Sequence, residues 1–254
     1  MTGRSYTSNA ASRLRTRAGE GSMYGTVTAA VEGAGLAVRG GFHPGPEDGV
    51  PKLRGGSEAG TLILVGNVGS GVWEPFAAAG FLGRTEHPLD DWSREVVSNL
   101  GRGLGAEPLF PFGGPPFLPF IRWALRADTV WPSVMGPLIH PRYGLWHAYR
   151  GALSFPGRFD LPPRDRTARR PCDDCVERPC LAPCPVGAVR EGDFDAPGCA
   201  DWLTDQPRCE CRRAGCLARR ACPIGRGHAY APAHAAFHMT AFAKANATPR
   251  QASS

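Results

Sequence analysis

With 254 residues, a 42% hydrophobic share and a net charge of +6, the chain is long enough to bury a core without metal or disulfide staples. No stretch of membrane-spanning length is free of charge, proline and glycine. The longest candidate, 109–125, carries four prolines, two glycines and Arg122. The first twenty residues have positive charge but no apolar run behind them, so 1–20 reads as a flexible N-terminus and the protein as soluble, cytoplasmic and without a membrane partner.

The next segment, 21–160, reads as one α/β domain. Tyr24 to Ala34 suits a modest helix and Leu36 to Phe42 the strand after it, ended by His43-Pro44-Gly45-Pro46. The apolar run TLILV at 61–65 predicts a buried strand entering the loop GNVGSG, which matches neither a dinucleotide fingerprint nor a P-loop. From His87 the apolar positions Leu89, Trp92, Val96, Val97 and Leu100 recur at helical spacing, and Gly101, Gly103 and Gly105 are expected to stop the helix. Residues 109–119, LFPFGGPPFLP, predict an irregular aromatic crossing, with a helix resuming over 117–125. After the turn HPRYG, Leu145 to Phe155 predicts a strand. Arg150 inside it calls for a carboxylate, amide or phosphate partner if buried. DLPPRDR at 160–166 predicts an extended linker, and 231–254 a C-terminal helix with a frayed tail.

All nine cysteines fall between Cys172 and Cys222, which sets off a second unit over 171–230. The first group is Cys172, Cys175, Cys180 and Cys184-Pro185, and the second is Cys199, Cys209, Cys211, Cys216 and Cys222-Pro223. Cys222-Pro-Ile-Gly repeats Cys184-Pro-Val-Gly, the internal duplication expected of a ferredoxin-like module with two 4Fe-4S clusters. In such modules the cysteine before each proline serves the opposite cluster. Cluster one then takes Cys172, Cys175, Cys180 and Cys222. Cluster two takes Cys184, Cys199, Cys216 and Cys211, the last preferred to Cys209 by its spacing to Cys216. One cluster, zinc and disulfides are the competing readings of the same cysteines. Two all-thiolate clusters at about −2 each would leave the basic chain only slightly positive.

The run CxxCxxxxCxxxCP with its second Cys-Pro resembles the C-terminal half of epoxyqueuosine reductases and related cobalamin-dependent reductases. The segment 136–156, GPLIHPRYGLWHAYRGALSFP, is similar to the HPRFGGWFAIRG-type segment of the MMACHC family, which processes vitamin B12. The resemblance implies an α+β chain in which a nitroreductase-like α/β domain precedes the cluster module. It also implies His140, Arg142, Tyr143, Trp146 and Arg150 near a corrinoid pocket. Flavin is the lesser cofactor alternative. Leu145 and His147 stand where that family has Gly and Phe, and no counterpart of the reductases' catalytic acid is found. A transfer RNA substrate, and nucleic acid generally, is therefore not expected; the expected partner is an electron donor such as a reductase or ferredoxin. The function read from the chain is an iron–sulfur redox protein passing electrons to a corrinoid or similar cofactor. Its alternatives are a ferredoxin-type carrier without an active site of its own and a flavin-dependent reductase.

Overall fold

The computed structural model describes residues 21–248. The expected flexible N-terminus at 1–20 and the end of the expected tail lie outside them. Helix α1 (Met23–Gly33), capped by the Ser22 side chain, leads into strand β1 (Ala37–Phe42). Strand β2 (Thr61–Val68) follows, then the short helix α2 (Trp73–Ala78), helix α3 (Pro88–Leu104) and strand β3 (Glu107–Leu109). Helix α4 (Phe120–Ala127), the small strands β4 (Trp131–Pro132) and β5 (Leu138–Ile139), and strand β6 (His147–Phe155) complete this part.

The main sheet has the order β1-β2-β6-β3, and every pairing in it is antiparallel. The expected α/β domain is thus better described as part of a mixed α+β fold. Helices cover both faces of its sheet, which explains why β2 reads as one unbroken apolar run. Ile63 and Val65 pack with Val27, Phe76 and Trp92 on one side, while Leu62 and Leu64 pack with Phe120 and Trp123 on the other.

Helix α3 passes through Gly101 and Gly103 and stops only at Gly105, whose φ of 69° makes it a left-handed cap. Gly101 serves packing instead: a Cβ there would stand 2.7 Å from the Ala106 carbonyl oxygen. Strand β6 starts two residues later than expected, because the Trp146 N–H donates to Tyr143 and holds 145–146 in the turn.

The cysteine-bearing part contains the small strands β7 (Val189–Arg190) and β8 (Asp193–Phe194) and helices α5 (Ala196–Asp205), α6 (Glu210–Ala214) and α7 (Leu217–Ala221). Helix α8 (Pro232–Asn246) packs on α5 and α6. It also returns to the first part of the chain, where Phe237 meets Trp73 and Phe76. The C-terminal helix therefore ties the two parts together. Among the described residues no helix is long and apolar enough to cross a membrane.

Candidate functional site

The HPRYG turn is built on His140. Its Nδ1 accepts from the backbone N–H groups of Arg142 and Tyr143, and its ring stacks on Tyr143 at 4.3 Å. Burial lowers its pKa to about 4, against the opposing pull of Asp128, whose carboxylate lies 3.7 Å away. Behind the turn, Arg39 is 2% exposed and donates to Asp128 at 2.7 Å, and the Tyr149 hydroxyl donates to the same oxygen at 2.9 Å.

The turn is also a docking surface. Gly144 has φ 57°, and a Cβ there would lie 2.0 Å from the Ile224 carbonyl oxygen. Gly225, with φ 71°, would put its own Cβ 2.3 Å from the Tyr143 carbonyl carbon. The first motif therefore meets the loop following Cys222-Pro223 backbone to backbone, which only glycine permits. Gly144→Ala is expected to cost at least about 2 kcal/mol in urea unfolding, whereas Gly103→Ala, exposed with open space around it, should be neutral or stabilising by up to about 1 kcal/mol. Equal midpoints for the two variants would refute the docking role.

The cysteines separate into two sets. Cys172, Cys175, Cys180 and Cys222 border one small pocket with Pro179 and Pro223. Cys199 has Cys216, Cys184 and Cys211 as electrostatic neighbours, and Cys209 adjoins Cys211. Burial first, and neighbouring thiols after it, push Cys199 up to about 12. Burial is also the largest influence on Cys211, at about 11. Among the described residues, no group of three or more His, Cys, Asp or Glu is gathered as a metal-ion site.

A cavity of about 570 Å³ lies between the two parts of the chain. Strand β6 contributes His147 and Tyr149, α7 contributes Arg219, and Tyr230 and His238 come from the C-terminal region. Cys199 and Cys216 open into the same space, and the remaining wall is largely apolar, including Met135, Leu138 and Phe242. His147 is 8% exposed, and neither ring nitrogen forms a hydrogen bond of good geometry, although the Leu138 backbone lies close. Burial, then the charge of Arg39, holds its pKa down to about 2. Arg219 lies over the rings of Trp146 and Tyr230, each at 4.5 Å, and donates to the Leu145 carbonyl.

Of the residues expected at a cofactor, His140, Arg142 and Tyr143 share one turn, and Trp146 is buried under Tyr230. Arg150 points instead to α3, where it pairs with Asp90 and donates to Ser93 at 3.1 Å. The cavity wall includes none of these five. It is lined by His147 and Tyr149 beside them, and by Arg219, Tyr230 and His238, none of them among the expected site residues. His238 had a readable signal, since it follows His234 by four residues on a predicted helix.

No protein-family model matches the chain, and no curated protein matches it. Solved structures resemble it distantly. Epoxyqueuosine reductase from Bacillus subtilis is 17% identical with a TM-score of 0.45, over 84% of this chain and 69% of that one. An epoxyqueuosine reductase with an epoxyqueuosine-modified tRNA-Tyr stem loop is 17% identical with a TM-score of 0.47, over 82% of this chain and 68% of that one. The C. elegans B12-trafficking protein CblC, a homologue of human MMACHC, is 14% identical with a TM-score of 0.47, over 85% of this chain and 91% of that one. One expectation is corrected: one of these structures holds a tRNA stem loop, so the exclusion of nucleic acid as a partner, drawn from the departures in the HPRYG segment and the missing catalytic acid, is withdrawn.

Proposed function

We propose that this chain is an iron–sulfur redox protein that passes single electrons to a corrinoid or similar large cofactor held in the cavity between its two parts. The observation that carries this reading is the shared wall: thiols of the second cysteine set and the unpartnered His147 face one largely apolar space. Buried donors and acceptors are normally satisfied, so an imidazole with no neighbour beyond the Leu138 backbone keeps a ring nitrogen for a ligand's polar group.

The donor set also suits clusters. A cubane presents separate iron corners, so its thiolates border a volume rather than converge on one point. Thiols held protonated by burial lose their protons once iron supplies positive charge. Cys172, Cys175, Cys180 and Cys222 would hold one cluster, and Cys184, Cys199, Cys211 and Cys216 the other. When bound, the clusters would supply one-electron transfer and the corrinoid a reactive cobalt. Tyr149 and His147 would contact polar groups of the cofactor, Leu138 and Phe242 would exclude water, and the HPRYG turn would hold the β6 residues in place from behind.

Two measurements test this. After anaerobic reconstitution, iron and sulfide are expected at about eight each per chain, falling by about half in Cys222→Ser. Values near four in the parent chain would defeat the two-cluster assignment. Titration with cob(II)alamin, followed by absorption, is expected to saturate near one equivalent and to weaken about tenfold or more in His147→Phe. No binding with intact cluster absorption would leave a partner-directed electron carrier instead.

A further inference from the structure

A reductive site needs protons as well as electrons, and one wall of the cavity is connected to a chain of hydrogen-bonding side chains that the reading above does not use. Helix α8 presents His234 and His238 one turn apart, with their Nε2 atoms 3.0 Å from each other. His234 Nδ1 lies 3.1 Å from Ser70 Oγ, in the loop after β2. Ser70 Oγ in turn accepts the Ala231 backbone N–H at 2.7 Å. His238 lines the cavity at one end, and Ser70 is half-buried beside the exposed Gly71 at the other. Between them His234 is completely buried, with Trp73 and Tyr230 both stacked on its ring, at 5.3 and 4.0 Å.

We propose that Ser70, His234 and His238 form a proton relay from the surface to the cavity, with His238 as the group that delivers the proton. This rests on the cavity being the reducing site. In the relay Ser70 Oγ accepts from Ala231 through one lone pair and donates its hydroxyl proton to His234 Nδ1, the tautomer that the measurement below reads. His234 then carries its proton on Nε2 and donates it to His238 Nε2, leaving the His238 proton on Nδ1. In one transfer the Nδ1 proton of His238 passes to a basic atom of the substrate undergoing reduction in the cavity. The His234 Nε2 proton moves to His238 Nε2, the Ser70 proton moves to His234 Nδ1, and a solvent hydronium ion reprotonates Ser70; return of both rings to their starting tautomers precedes the next transfer. The electrons would be supplied by clusters held on the thiols. Both imidazoles are neutral at neutral pH, as the relay requires: burial and the charges of Arg219 and Arg150 hold His234 to about 4 and His238, which also faces His234, to about 3.

Nitrogen-15 NMR of the histidine-labelled, cluster-containing protein tests the relay without any corrinoid. His234 is expected as the Nε2–H tautomer and His238 as the less common Nδ1–H tautomer. Exchange of the His234 Nε2 proton with deuterated water should slow roughly tenfold in Ser70→Ala and recover in Ser70→Thr. His238 in the Nε2–H form, or exchange unchanged or faster in Ser70→Ala, would overturn the proposal. A His238→Gln variant that still titrates with cob(II)alamin as the parent does would place His238 in proton delivery rather than binding, and loss of binding would overturn that role. Failure of cob(II)alamin to bind the parent, with the tautomers as stated, would refute the corrinoid reading and leave the relay standing.

Discussion

Lowering the pH from about 7.5 to about 5 is expected to remove about 3–6 kcal/mol of folding stability, most of it below about 6.5. Four histidines are held neutral by the fold: His140 and His234 at about 4, His238 at about 3 and His147 at about 2, each from an ordinary value of 6.5. Burial is the leading cause in every case. Above 6.5 these rings are neutral in both the folded and the unfolded chain, and their contribution is fully present. As the pH falls through 6.5 the unfolded chain binds protons that the native chain refuses. Each ring then costs up to about 1.4 kcal/mol per pH unit. The total is discounted because His140 is only partly buried and His234 and His238 are coupled through one hydrogen bond. The slope eases again below about 4, where His140 and His234 accept protons in the folded state. Urea unfolding across this range checks it, and His147→Phe should flatten the slope by about one proton. A level profile between pH 7 and 5 would sink the account.

Asp128→Ala is expected to cost about 3–5 kcal/mol, because it strands the Arg39 guanidinium in the protein interior. Asp128 joins β1 to β6: it accepts from Arg39 and Tyr149 through one oxygen, and its other oxygen accepts the Thr129 backbone N–H at 2.8 Å. Arg39 also lies over the Tyr143 ring at 4.9 Å, so the loss should reach the HPRYG turn. The double variant Arg39→Met, Asp128→Leu removes both charges and should recover more than half of the loss, since an apolar pair avoids the desolvation penalty. The measurement is a double-mutant cycle by denaturant unfolding. Additive losses in the cycle would show that the two side chains act independently.

The regular elements of the first 160 residues were largely readable in the chain. The helix at α3 follows from apolar spacing and two acidic residues in its first turn, and β2 from an apolar run. Helix α2 and strand β3 were missed, being too short to show a period. That β2 runs antiparallel to both neighbours was equally hidden, since a strand buried on both faces looks the same in either direction. The small net charge left after two clusters and the departures in the HPRYG segment were weak grounds for excluding a nucleic-acid partner, because net charge bears on association without naming the partner.

By itself the sequence determined what depends on near neighbours: the apolar spacing of the longer helices, the glycine and proline turns, and the concentration of thiols in one segment. It also specified that a guanidinium at Arg150 would need a partner. Tertiary structure decided what depends on residues far apart in the chain. It chose Asp90 as that partner and pressed Gly144 against Ile224 and Gly225. It brought Ser70 to His234 across 164 positions and placed His147, His238, Cys199 and Cys216 around one cavity. The physical reason is that local spacing fixes which face a side chain takes, whereas the partner on that face is set by how separately formed layers pack, and no short-range period records that.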